Sequence, residues 1–209
     1  MFPTSSYKRL YNDIIDRYDT YSDDEYVTFG ILIADARQGE AREYILKYLN
    51  VFNKSSGKYF DFFIPGYNND KWSGGREIRL GDNKYYFCEN LFVEFCENLH
   101  TDFGIKYTFN PMLILMTMKK GYKGTAKYIV IELDDYGDYG VRRSGQLFLD
   151  IFEATKKSSN LNDIKDSLTG TYIKGNVLDS IINAIGQEWL CEIRRSSNEL
   201  KRYKIKKLR

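Results

Sequence analysis

Few residues in this chain have the type and spacing to do chemistry. Asp35 closes the apolar run "VTFGILIAD", and Arg37 and Gln38 follow it in "ADARQGEA", Ala34 to Ala41. The C-terminal end of a strand is where α/β sheets place acids, and a guanidinium nearby can take a phosphate or carboxylate on two parallel hydrogen bonds. Aspartate also ends strands and caps helices for architectural reasons alone, so the same residues fit a plain turn.

A second carboxylate group, Glu132, Asp134, Asp135 and Asp138 in "ELDDYGDYG", supplies enough oxygen for a cation but lacks the ligand spacing of an EF-hand, and reads equally as a solvated turn. Trp72 stands in the glycine-containing stretch "GYNNDKWSGG", where it would serve as a stacking platform or lid, or anchor a long loop. His100 follows Cys96 by one helical turn, the one local pairing that resembles a nucleophile and base, although a half-buried helix pair accounts for it as well. The three cysteines include no CxxC and there is a single histidine, so a disulfide scaffold, a cysteine-rich zinc site and a multi-histidine metal site are not expected. No GxxxxGK[ST] phosphate loop occurs, and neither metal nor cofactor is expected.

Composition sets the frame for these candidates. With 43% hydrophobic, 16% aromatic and 29% charged residues in 209 positions, the chain reads as globular and able to bury a substantial core. No apolar run approaches the roughly 20 residues that span a bilayer, and the start "MFPTSSYKRL" lacks a secretory pattern, so membrane insertion is not expected and the cytoplasm is the expected compartment. The net charge of +2 is unevenly placed: from Gln187 to Arg209 the tail carries +5, which leaves about −3 for the remainder. Such a tail can grip nucleic acid weakly through phosphates, or be a plain basic terminus.

The elements that must position the candidates follow from periodicity. Leu10, Tyr11, Ile14, Ile15 and Tyr18 predict an amphipathic helix, and "VTFGILIAD" predicts a strand covered on both faces. Ala41, Ile45, Tyr48, Leu49 and Phe52 predict a helix over "RQGEAREYILKYLNVFNKSSG", and "YFDFFIPGY" a second strand, completing a βαβ unit with parallel strands. "REIRL" and "KYYF" around Gly81-Asp82-Asn83 predict a hairpin, and Leu91, Phe92, Phe95, Cys96, Leu99 and Phe103 a helix. "PMLILMTM" and "KYIVIELDD" predict an antiparallel pair, followed by a helix over "SGQLFLDIFEATKKSSN". The stripe Val177, Leu178, Ile181, Ile182, Ile185 and Trp189 predicts helix in the C-terminal part. The class is α/β with a mixed sheet, in two parts: residues 1–158 with flanking helices and the hairpin as an insertion, and residues 159–209 as a helical extension ending in the basic tail.

One residue is out of keeping with its surroundings. Pro111 lacks an N–H yet opens the dense apolar strand of "YTFNPMLILMTMKKG", a place that suits proline because the first strand residue need not donate. The order βαβ, helix, proline-initiated strand, antiparallel strand, helix resembles the thioredoxin-like fold, and "NPMLILMTMKKG" is similar to that family's proline-led third core strand with its Lys-rich, glycine-ended turn. The resemblance covers about Val27 to Lys157. It implies a cis bond at Asn110–Pro111, and it implies a contact surface where the Asp35 to Gln38 turn faces Asn110 and Pro111. The redox members carry CxxC at the place where this chain reads "ADARQGEA", so thiol exchange is not expected. The leading expectation is a non-redox binding or scaffold component whose partner is another protein or a second copy. The alternatives are a hydrolase or nucleotide-processing enzyme using Asp35, Arg37 and the acidic turn, and a nucleic-acid-associated protein acting through its tail.

Overall fold

The computed structural model describes residues 2–18, 26–57, 60–70, 75–119, 126–133, 144–158 and 203–206, and positions 160, 161, 163, 164 and 167. It is a mixed α/β structure. The main sheet has the strand order β1-β3-β2-β7-β8-β9, with β1 Phe2–Thr4, β2 Tyr26–Ile33, β3 Asp61–Pro65, β7 Met112–Lys119, β8 Ala126–Leu133 and β9 Tyr203–Lys206. A three-stranded sheet, β4-β6-β5, is built from β4 Tyr67–Asn68, β5 Glu77–Leu80 and β6 Asn83–Phe87.

The centre of the main sheet follows from the unbroken apolar runs. β2 and β7 pair antiparallel along their full length, from Tyr26 opposite Lys119 to Ile33 opposite Met112, and from Phe29 to Ile33 every residue of β2 but Gly30 is a large apolar side chain at most 1% exposed. Each such side chain removed from water contributes about 1.5–3 kcal/mol, which is why an alternating polar pattern is absent here. β3 runs parallel to β2, as the βαβ reading requires, and β8 antiparallel to β7. Gly30 is set by packing: a Cβ there would lie 2.5 Å from Cδ2 of Phe62, so the ring of β3 rests directly on the backbone of β2.

Helices cover both faces. Leu49–Ser56 (α2) and Ser144–Lys157 (α4) meet through Phe52 and Phe148, whose rings are 4.5 Å apart, and Phe62 packs edge-on against Phe148 and Phe152. Phe63 points the other way, as the strand period demands, and touches Phe29 and Phe2. On that side Tyr7–Tyr18 (α1) and Glu89–Phe103 (α3) are joined by an edge contact of Tyr7 with Phe95. α3 stops where Gly104 takes the left-handed φ of 69° and returns its N–H to the His100 carbonyl at 2.8 Å.

Four features depart from expectation. The Asn110–Pro111 bond is trans, since no described peptide bond is cis. The chain reversal ahead of β7 is made instead by Phe109, at φ 67°, and the Pro111 carbonyl joins the ladder by accepting from Leu133 N at 2.8 Å. The helix predicted after Arg37 is irregular: Ala41–Ile45 is π-helical and Leu46–Tyr48 3₁₀ before α2 begins, a change of pitch that keeps Ala41, Ile45, Leu46 and Leu49 all in the core. Tyr203–Lys206, placed by expectation in a helical extension, forms a strand, because alternating Tyr-Lys-Ile-Lys suits the open edge of β8. The second strand of the βαβ unit stops at Pro65, and Tyr67–Asn68 cross into the small sheet. Trp72, the acidic residues Asp134 to Asp138 and the apolar stripe from Val177 to Trp189 lie outside the described residues.

Candidate functional site

The end of β2 delivers Asp35 to the rim of the sheet, and the turn that follows is held by its side chain. Asp35 Oδ1 accepts from the Arg37 backbone N–H at 2.8 Å, and the Asp35 carbonyl accepts from Gln38 N at 3.1 Å, an Asx-type turn. The Arg37 guanidinium folds back onto the same carboxylate, with Nε 2.9 Å from each oxygen and Nη2 2.6 Å from Oδ2. Its Nη1 pairs with Glu89, the first residue of α3. The carboxylate is 3% exposed and the guanidinium 41%, so the pair joins a buried anion to a cation at the surface. Hydrogen bonding to Asp35 holds the guanidinium firmly in its charged form. Arg76 adds a bond from the far side, its Nη1 2.7 Å from the Ala36 carbonyl.

The loop before β7 closes against this turn. Gln38 Nε2 donates to the Phe109 carbonyl, which also receives the Tyr107 hydroxyl at 3.3 Å. Phe109 is 71% exposed and holds a φ that bulky residues rarely adopt. A left-handed conformation costs about 1–2 kcal/mol without glycine, so the surrounding bonds hold an exposed aromatic in a strained presentation. Behind it, rings run inward in unbroken contact: Phe109 to Tyr107 at 5.6 Å, Tyr107 to Phe92 at 5.3 Å, Phe92 to Phe87 at 5.4 Å, and Phe87 to Tyr67 at 5.4 Å.

Beneath the turn the environment is poor in water. The Tyr67 hydroxyl is buried with no hydrogen-bond partner among the described residues, and burial, then the charge of Asp35, push its proton affinity up. Tyr107 is raised by the same two causes in the same order. The Cys96 thiol is pushed up to about 12, first by burial and then by Asp35, which favours its protonated form. Deprotonation of any of these groups would set a second negative charge near Asp35 in low dielectric.

The structure therefore brings Asp35, Arg37, Gln38, Asn110 and Pro111 to one end of the sheet. At that end Glu132 is also buried, accepting from Thr108 Oγ1 at 3.0 Å. It pairs across β7 with Met112, itself opposite Ile33, so two strand spacings, about 10 Å, separate it from the end of β2. Both Asp35 oxygens are bound by Arg37. Sequence reasoning missed Phe109, Glu89, Arg76 and Tyr67. Glu89 at a helix start was the detectable one, since acids favour that place; nothing in "TFNP" distinguishes Phe109 from a core aromatic. Among the described residues no group of His, Cys, Asp and Glu has the arrangement of a metal site, and no helix is long and apolar enough to cross a membrane. Set against known proteins, the chain matches no family model, no curated sequence and no solved structure.

Proposed function

We propose that the chain is a non-redox, thioredoxin-like binding module whose contact surface is the rim formed by Arg37, Gln38, Phe109, Asn110 and Pro111. The strand order supports the fold reading: β8-β7-β2-β3 with β7 antiparallel to its neighbours, an added parallel strand β1 beyond β3, and helices on both faces. The trans Asn110–Pro111 bond is a departure from that family's pattern. The turn that carries the thiols in the redox members of that fold holds no cysteine, serine or threonine, and its buried carboxylate, Asp35, is engaged by Arg37.

The observation that carries the binding reading is Phe109, an exposed aromatic fixed at φ 67° by contacts from Gln38 and Tyr107. Exposed aromatics on rigid loops act as anchors for partner surfaces, because they offer large contact area at small entropic cost. The partner is a peptide or protein segment with an apolar side chain to set against the ring. Selection of a displayed peptide library on the purified chain tests this. Peptides with an apolar residue at a fixed position are expected to enrich, and Phe109→Gly to weaken them by about tenfold or more. Enriched peptides that bind Phe109→Gly equally well, or turnover in a disulfide-reduction assay, would overturn the reading.

A further inference from the structure

A second site lies where the main sheet's outer strand meets the small sheet, and it shares no residue with the rim just described. A cleft of about 840 Å³ opens there between β1, α1, the end of α2 and the β4-β6-β5 sheet. Its size is that of small-molecule sites, which are commonly about 300–1,000 Å³.

The lining has an unusual chemistry. Four asparagines, Asn53, Asn68, Asn69 and Asn83, face it together with Tyr85. Asn68 Oδ1 accepts from the Asp70 backbone N–H at 3.0 Å, which fixes that amide and leaves its NH₂ to donate. The side-chain polar atoms of Asn69, Asn83 and Tyr85 carry no partner among the described residues. Primary amides and phenols donate and accept at once, which matches hydroxyl groups better than ionic ones. Among the described residues the charged members of the lining are Arg9 and Asp13, 3.9 Å apart, so each screens the other and the described lining carries no net charge. Beside the amides, the part-exposed Phe2 and Pro3 provide the apolar part of the lining.

We infer that this cleft binds a neutral saccharide, the sugar hydroxyls meeting the asparagine amides and a C–H face resting against Phe2 and Pro3. A sugar ring is polar at its edge and apolar on its faces, the same division that the lining shows.

Titration calorimetry of the full chain decides it. The probes are glucose, galactose, N-acetylglucosamine and the disaccharides maltose, cellobiose and chitobiose, each at about 10 mM, with inorganic phosphate and adenosine as chemically different arms. At least one saccharide is expected to bind in the millimolar range or tighter, with phosphate and adenosine silent. Asn69→Ala and Asn83→Ala, both at exposed positions, are each expected to weaken that saccharide about tenfold while leaving thermal unfolding unchanged. Heat from none of the saccharides, a preference for phosphate or adenosine, or saccharide binding that survives both substitutions would overturn the inference. None of these outcomes bears on peptide binding at Phe109, so the two sites fail or stand separately.

Discussion

The two ends of the aromatic path that runs from Phe109 to Tyr67 handle polar groups in opposite ways. At the rim, Asp35, Arg37, Glu89, Gln38 and Arg76 bond to one another or to backbone, and the hydrophobic ring of Phe109 stands exposed beside the part-exposed Arg37 and Glu89 side chains. At the cleft, amides and a phenol line open space beside Phe2 and Pro3. A rim whose polar groups are mutually bonded would select by shape and apolar contact, whereas a cleft lined by amides would select by hydrogen-bond pattern. Tyr67 lies between the two, lining the cleft while its hydroxyl lies in the field of Asp35.

The sharpest way to break this comparison is to remove the cation at the rim. Arg37→Met leaves the Asp35 carboxylate buried with the Arg37 backbone N–H as its remaining partner from that turn. Breaking a fully buried pair costs about 3–5 kcal/mol, and because the guanidinium is 41% exposed the expected loss is about 2–4 kcal/mol by urea unfolding. A loss under about 0.5 kcal/mol would mean that the network contributes nothing to the turn and that Arg37 is free for a ligand.

An intermediate effect is expected at Tyr67. Tyr67→Phe deletes a buried hydroxyl that has no partner among the described residues, so stability should rise by about 1 kcal/mol. Destabilisation of that size instead would show that the hydroxyl is hydrogen-bonded in solution, and the cleft and the rim would then be joined by a polar contact.

The smallest shift belongs to Phe109→Gly. Relief of the left-handed φ is opposed by the added freedom of glycine in the unfolded chain and by the lost ring contact with Tyr107, so unfolding should stay within about 0.5 kcal/mol of the parent. Stability held while peptide binding falls separates a recognition residue from an anchor. A loss above about 2 kcal/mol would make Phe109 structural and remove the main support for the rim as a contact surface.

Elements with a local cause can be read along the chain. The apolar runs of β2, β7 and β8, the three- and four-residue stripes of α1, α3 and α4, and the turn at Gly81-Asp82 were all legible, because strand and helix periods are written in neighbouring residues. The sequence also placed Asp35, Arg37, Gln38, Asn110 and Pro111 at strand ends. Only the tertiary structure decided how they are used. That Arg37 is bound to Asp35 and Glu89, 52 positions away, and that Gln38 reaches the Phe109 carbonyl 71 positions on, depends on which strands become neighbours. Phe109 looks like a core aromatic in the sequence and stands exposed, because the loop must reverse into β7 and the trans proline leaves that reversal to the residue two positions before it. The cleft was illegible for the same reason: its asparagines come from α2, the segment after β3 and the hairpin, and a concavity is a property of surfaces that meet, with no period along the chain to announce it.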